Sequence, residues 1–260
     1  METFCKDYNN DFDCAAYLNT YFKDPKMEPR VLQNLHKFWS QVNKSDLKVL
    51  EYGGGPNISR LISACPYVKD FVFSEYAKHL RQAVQAWIDK DPKAFDWRDT
   101  FDFIVGELEG KGTDEVVKRE DELRQKIRVI VPCDIKSDNI LEIPASLGDK
   151  YGPPYDVVAT SLCLEAVVES EQEYKDTVAK LAKLVKPGGY LMMHAVIRQT
   201  FYMVGSKKFY SFYLTKEMVE ESMKNTGAII MHIDMASSDT KVDYYPLADT
   251  QDEMFIYGRL

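Results

Sequence analysis

The sequence predicts an α/β fold, a mostly parallel sheet covered by helices on both faces, and three observations carry that prediction. Short apolar runs rich in β-branched and aromatic residues alternate with segments whose apolar residues recur at three- and four-residue steps. Glycine turns, "GGGP" at 53–56 and "KPGG" at 186–189, stand next to the apolar runs. At 260 residues and 45% hydrophobic content the chain is long enough to bury a sizeable core. Parallel sheets covered in this way bind ligands beyond the carboxyl ends of their strands, so candidate residues are sought there.

Residues 10 to 45 read as a helical preface: Tyr17, Tyr21 and Phe22, then Val31, Leu32, Leu35, Phe38 and Trp39 keep helical spacing. "VLEY" at 49–52 is the first strand. A tight glycine turn follows, and a helix is expected from Pro56, where proline suits the first helical position, with Ile58, Leu61 and Ile62 on its apolar face. "DFVFSEY" (70–76) is the second strand, and Leu80, Val84, Trp87 and Ile88 mark the helix after it. Residues 107–126 are dense in charge and read as a solvated helix or insertion. "IRVIVPCDI" (127–135), "YDVVATSLCLEAV" (155–167) and "KPGGYLMMHAV" (186–196) are the third, fourth and fifth strands. Val178, Leu181, Leu184 and Val185 form a helical stripe between the last two. "AIIMHIDMA" (228–236) and "EMFIYGRL" (253–260) are expected to close the sheet as an antiparallel pair.

Charge and composition exclude several functions. With 33 basic and 41 acidic residues the formal charge is −8, which lacks the basic excess that a phosphate backbone requires. Nucleic acid is therefore not an expected partner. No window is long and apolar enough to span a membrane, and the N-terminus lacks the features of a secretory signal, so a soluble cytoplasmic protein is expected. Five scattered cysteines form no C-x-x-C pair, and the four histidines are equally dispersed, which gives no metal site. Cys163, inside an apolar run, reads as a packed thiol.

The chemistry is concentrated at strand ends. Glu75 lies 22 residues beyond Gly53, a spacing at which a carboxylate commonly binds the hydroxyls of a ribose. The turn is G-G-G-P, without the G-x-G-x-x-G pattern of pyrophosphate binding, so a nucleoside fits better than a dinucleotide and a nicotinamide-dinucleotide oxidoreductase is disfavoured. Taken alone, the glycines are equally compatible with a plain turn. Asp134 and Ile135 end the third strand as an acceptor and an apolar wall suited to a purine, and Ser161 and Glu165 end the fourth. Singly, each acid is also a candidate helix cap or solvated loop residue.

The ordered segments "LEYGGGP", "FSEY", "CDI", "TSLCLEAV" and "LVKPGGYL" resemble a class I S-adenosylmethionine-dependent methyltransferase. "GPNISRLISAC" and "DPKAFDW" narrow the resemblance to the nicotinamide, phenylethanolamine and indolethylamine N-methyltransferase family, over nearly the whole chain. The resemblance implies a Rossmann-like fold with a seven-stranded sheet, residues 1–260 forming one domain, residues 1–45 a helical lid, and a monomer acting on a small-molecule acceptor. It places the cofactor S-adenosyl-L-methionine against Tyr17, Phe22, Gly53, Gly55, Ser59, Glu75, Tyr76, Leu80, Asp134, Ile135 and Ser161. Phe22 and Ser59 stand where the family usually has tyrosines, and Leu80 where it has asparagine.

For the acceptor, the resemblance implies Tyr21, Glu165, Ala195, Gln199, Tyr202 and Ser211, with Glu165 and Tyr17 carrying catalysis. Ala195 and Gln199 replace acids that anchor substrates in two branches of the family, which leaves the acceptor unnamed. Tyr17 and Tyr21 are four residues apart and, from spacing alone, read as a core stripe. His194 either lines the pocket or merely completes a strand, and the alternation of strand side chains favours the second. The expected function is N-methylation of a small amine or ring nitrogen by direct in-line transfer. A catalytically weak cofactor-binding protein is the alternative, to which the two missing anchors point.

Overall fold

Strand alternation and helical stripes sort the apolar residues onto two sides of one sheet. The computed structural model describes residues 4–42, 44–236 and 245–260. The chain enters through α1 (Cys14–Tyr21), a 3-10 turn (Pro25–Met27) and α2 (Pro29–Val42). The expected helical preface is thus broken at Pro25 and restarted at Pro29, since proline suits a helix start and not its interior. There follow β1 (Leu47–Tyr52), α3 (Ser59–Ile62), β2 (Val68–Ser74), α4 (Lys78–Ile88) and α5 (Arg98–Phe101). A π-helical turn (Asp102–Leu108) leads to α6 (Thr113–Lys126), β3 (Ile127–Val131) and α7 (Ala145–Tyr151). The chain then forms β4 (Tyr155–Ser161), α8 (Leu164–Val167), α9 (Glu171–Ala182) and β5 (Val185–Ile197). The hairpin β6 (Phe201–Val204) and β7 (Lys207–Tyr210), then α10 (Lys216–Asn225), β8 (Ile229–Met235) and β9 (Asp252–Arg259), complete it.

The sheet has seven strands in the order β3-β2-β1-β4-β5-β9-β8. The first five are parallel, and β9 runs antiparallel to both β5 and β8, as the closing pair was expected to do. One face packs Leu32, Leu35 and Phe38 of α2, with Leu61 of α3 and Trp87 of α4, on Val49, Phe71, Phe73 and Val157. The other packs Val178 and Leu181 of α9, with Val219 and Met223 of α10, on Leu50, Val72, Val158 and Leu191. Adjacent residues such as Val49 and Leu50 thus enter opposite cores, which is why these strands read as continuous apolar runs. Among the described residues no helix is long and apolar enough to cross a membrane.

The register fixes the site. Tyr52 pairs with Ser74 on one side and Thr160 on the other, so β1, β2 and β4 end at one level. The chain leaves β1 toward β2 and β3 in one direction and returns to β4 and β5 in the other, creating the crevice where such sheets bind ligands.

Several boundaries differ from the sequence reading, among them the end of α9, which stops at Ala182 so that Val185 begins β5. The helix after the glycine turn starts at Ser59, not Pro56: Gly53 and Gly55 both have positive φ, and the Asn57 side chain accepts from the Ser59 N–H at 2.7 Å. β2, β3 and β4 stop at Ser74, Val131 and Ser161, leaving Glu75, Asp134, Ile135 and Glu165 on the segments beyond. The charged stretch divides into the π-helical turn and α6, whose Val116, Arg119 and Leu123 are buried while most of its other residues face solvent or the margin.

Candidate active site

Two cavities open beyond the strand ends. The larger, about 490 Å³, runs along the glycine turn past Glu75 and Leu80 to Asp134 and Ile135. The smaller, about 90 Å³, lies between Tyr21, Glu165, Val196, Gln199, Ser211 and Thr250. Tyr17, Phe22, Leu162, Ala166 and Tyr202 line both, and so form the partition between them.

The glycine turn is shaped by what touches it. A Cβ at Gly53 (φ +66) would sit 2.1 Å from Cys163 Sγ, and one at Gly54 2.5 Å from the Phe73 ring. Gly55 (φ +60) has open space around it. Its N–H donates to Glu75 Oε2 at 3.0 Å, while Glu75 Oε1 accepts from Ala77 N–H at 2.7 Å. The Glu75 carboxylate therefore clamps the β1 turn to the end of β2 and keeps lone pairs toward the cavity. Burial pushes its pKa up, against the pull of those backbone donors.

In the smaller cavity Glu165 is buried, and its Oε1 accepts from the Val196 N–H of β5 at 3.1 Å. Burial raises its pKa to about 7. It is the N-cap of neither neighbouring helix: that position is Cys163 in α8 and, in α9, Ser170, which accepts from Glu173 N–H. The buried Ser211 hydroxyl has no partner, and Thr250 donates to Gln199 Oε1. Tyr21 donates to the carbonyls of Met203 (2.9 Å) and Leu247 (3.3 Å), which ties α1 to β6. The Tyr17 ring packs 4.9 Å from Phe12 and 5.3 Å from Tyr21, centroid to centroid, and burial raises its phenol pKa so that it stays neutral. Leu162, in the partition, has φ 52, a left-handed backbone that a leucine adopts only under constraint.

A family model, described as the NNMT/PNMT/TEMT family, matches residues 2–259. The chain belongs to that family. Human nicotinamide N-methyltransferase is 32% identical over 238 residues, covering 88% of this chain and 87% of that protein. Mouse indolethylamine N-methyltransferase is 30% identical, covering 89% and 88%, and bovine phenylethanolamine N-methyltransferase 26% identical, covering 83% and 77%. Among solved structures, magnesium protoporphyrin IX methyltransferase of Synechocystis with bound SAM superposes at a TM-score of 0.58 and 13% identity, covering 98% of this chain and 94% of that one. That likeness concerns the fold alone. As a member of the family, the chain is a class I S-adenosylmethionine-dependent N-methyltransferase.

In this N-methyltransferase most of the residues singled out from sequence meet at the two cavities. Gly53, Gly55, Glu75, Tyr76, Leu80, Asp134, Ile135 and Ser161 line the larger one, with Tyr76 still 51% exposed. Tyr21, Glu165, Gln199 and Ser211 line the smaller one, and Tyr17, Phe22 and Tyr202 line both. Two do not line either cavity. Ser59 is buried in α3 and donates its hydroxyl to Glu28 Oε1 at 3.2 Å. Ala195 points into the core on the α9 face, because alternation along β5 gives the cavity to Val196. His194 lines neither cavity: it shares Val196's face of β5 but sits two residues earlier, in a separate cleft with Arg30, Asn34 and Asp234.

Sequence reasoning missed Tyr8, Glu28, Arg60, Leu162 and Val196. Tyr8 and Tyr202 share a hydrogen bond of 2.6 Å across 194 residues, a pairing no local pattern announces. The β6–β7 hairpin had a readable signal in Gly205-Ser206, a two-residue turn between aromatic runs.

Proposed function

We propose that this enzyme methylates a nitrogen of a small amine or N-heteroaromatic compound held in the smaller cavity, with S-adenosylmethionine in the larger one. The observation that carries the reading is the shared partition: the crevice holding Glu75 and Asp134 and the small chamber holding the buried Glu165 meet at Tyr17, Leu162, Ala166 and Tyr202. The larger cavity fits the cofactor's chemistry. Glu75 offers lone pairs to ribose hydroxyls, Asp134 and Ile135 offer an acceptor and an apolar wall to adenine, and the open space at Gly55 admits close approach to the backbone.

Bound there, S-adenosylmethionine supplies a methyl group on a sulfonium, transferred in line to the acceptor nitrogen while the sulfur leaves neutral. The protein's work is alignment and exclusion of water, and positioning alone is worth roughly 7 to 11 kcal/mol. Tyr17 and Tyr202 present ring faces that tolerate spread positive charge. Glu165 holds the acceptor's amine and, once ionised, takes the proton that an ammonium must shed before attack. Tyr21, fixed to the Met203 carbonyl, holds α1 over the chamber. Five cysteines free of disulfides support a reducing, cytoplasmic setting.

Isotopic methyl transfer to a panel of small amines and pyridines tests the proposal. Turnover on at least one nitrogen acceptor is expected. Tight cofactor binding with no turnover on any member would replace it with the weak-binding alternative.

A further inference from the structure

Arg60, in α3, is 3% exposed and lines the larger cavity beside the glycine turn. Its Nη2 donates to Glu28 Oε2 at 2.6 Å. Its Nε and Nη1 are buried and have no partner. A guanidinium carries five donors and cannot neutralise itself, so leaving two of its three nitrogens empty in a buried site is costly. Burial opposes the charge, but Glu28 holds the guanidinium charged. Glu51, lining the same end of the cavity, also has a buried carboxylate oxygen, Oε1, without a partner. One end of the cavity thus presents a guanidinium with two unpartnered nitrogens and a carboxyl with an unpartnered oxygen, while the other presents Glu75, Asp134 and Ile135.

We propose that Arg60 receives the α-carboxylate of the cofactor's amino-acid end, with Glu51 facing its α-ammonium. The inference rests on the cofactor lying in the larger cavity. Two neighbours of the guanidinium offer no hydroxyl for the role: Phe22, whose ring centroid lies 6.0 Å from the guanidinium carbon, has none, and Ser59 spends its own on Glu28. Glu28 orients Arg60 from behind while itself lining the smaller cavity, so one ion pair joins the cofactor end to the acceptor chamber.

Calorimetry with three ligands tests this: S-adenosylhomocysteine, its neutral α-carboxamide, and 5′-methylthioadenosine, which lacks the amino-acid end. The wild type is expected to prefer S-adenosylhomocysteine over the carboxamide by about tenfold or more, as a charged hydrogen bond requires. Arg60→Gln alone leaves Glu28 buried without its partner, so the double variant Glu28→Gln/Arg60→Gln, which neutralises the pair, is measured with it. There, S-adenosylhomocysteine should weaken about 10- to 100-fold while the other two ligands change about twofold or less, so that the preference disappears. Parallel weakening of all three, or no preference in the wild type, would overturn the role of Arg60 while leaving the cofactor cavity in place. Failure of the wild type to bind any of the three would overturn the cavity assignment and the inference with it.

Discussion

Glu165 is where residue chemistry and reaction meet. Its carboxyl titrates at about 7, raised by burial, so as pH climbs through that value it turns from neutral to ionised and becomes able to take an ammonium proton. For an amine acceptor, kcat/KM should therefore rise across this range. Glu165→Gln should flatten that limb and lower kcat/KM by one to two orders of magnitude, roughly 1.4 to 2.8 kcal/mol, with cofactor affinity unchanged. A pyridine acceptor, already neutral, should lose less. Kinetics on one amine and one pyridine check this, and an equal loss on both with a lowered Tm would reduce Glu165 to its tie with Val196. For Glu75, replacement by alanine should weaken S-adenosylhomocysteine binding by about 1.5 to 3 kcal/mol by calorimetry. Unchanged affinity in the folded variant would remove Glu75 from the site. Glu75 was legible because its distance from the glycines follows from the length of one helical crossover. Arg60 and Glu28 were not, since their ion pair joins residues 32 apart in sequence through packing that no spacing encodes.

At the scale of elements, the glycine turn separates two effects that a sequence cannot. Gly53 and Gly55 share a positive φ, but only Gly53 is pressed against a side chain, Cys163. Gly53→Ala should therefore lower the Tm of the free protein well beyond the roughly 1 kcal/mol that an unfavourable φ costs. Gly55→Ala should cost the free protein about that much and instead weaken cofactor binding, because its Cβ enters the cavity. Thermal melts with and without S-adenosylhomocysteine distinguish them, and identical behaviour of the two variants would contradict the assignment. Apolar runs made the sheet's strands readable and helical stripes α2, α4 and α9, while α7 and α10 went unread. The ends were not readable: of the acids read as strand termini, Glu75 and Asp134 sit on the following loops and Glu165 in α8, where backbone hydrogen bonds, not composition, decide the stop. Ala195 shows the sharpest limit, since a one-residue step along β5 exchanges cavity for core.

For the whole molecule, the site is held at the expense of stability. Glu51 and Glu165 are buried, with pKa values raised to about 8 and about 7. The unfolded chain ionises both near the ordinary carboxylate value, so between that value and about 8 it binds fewer protons than the folded state. Their contribution to stability therefore falls as pH rises through this window, and is level above it. Glu51→Gln should shrink the drop in Tm of the free protein between pH 5.5 and pH 8.5, with a gain at the upper pH of a few kcal/mol at most. An unaltered pH dependence would show that Glu51 is ionised throughout. The parallel order and the crevice at β1 and β4 follow from alternating strands and helices, whereas the division into two cavities depends on α1 folding back over the sheet. The most direct measurement of that arrangement is a crystal structure with S-adenosylhomocysteine bound. Adenine is expected at Asp134 and Ile135, ribose at Glu75, and the thioether sulfur at the Tyr17–Ala166 partition, directed toward Glu165. A thioether turned away from the Glu165 chamber, or a ligand seated outside the larger cavity, would contradict it.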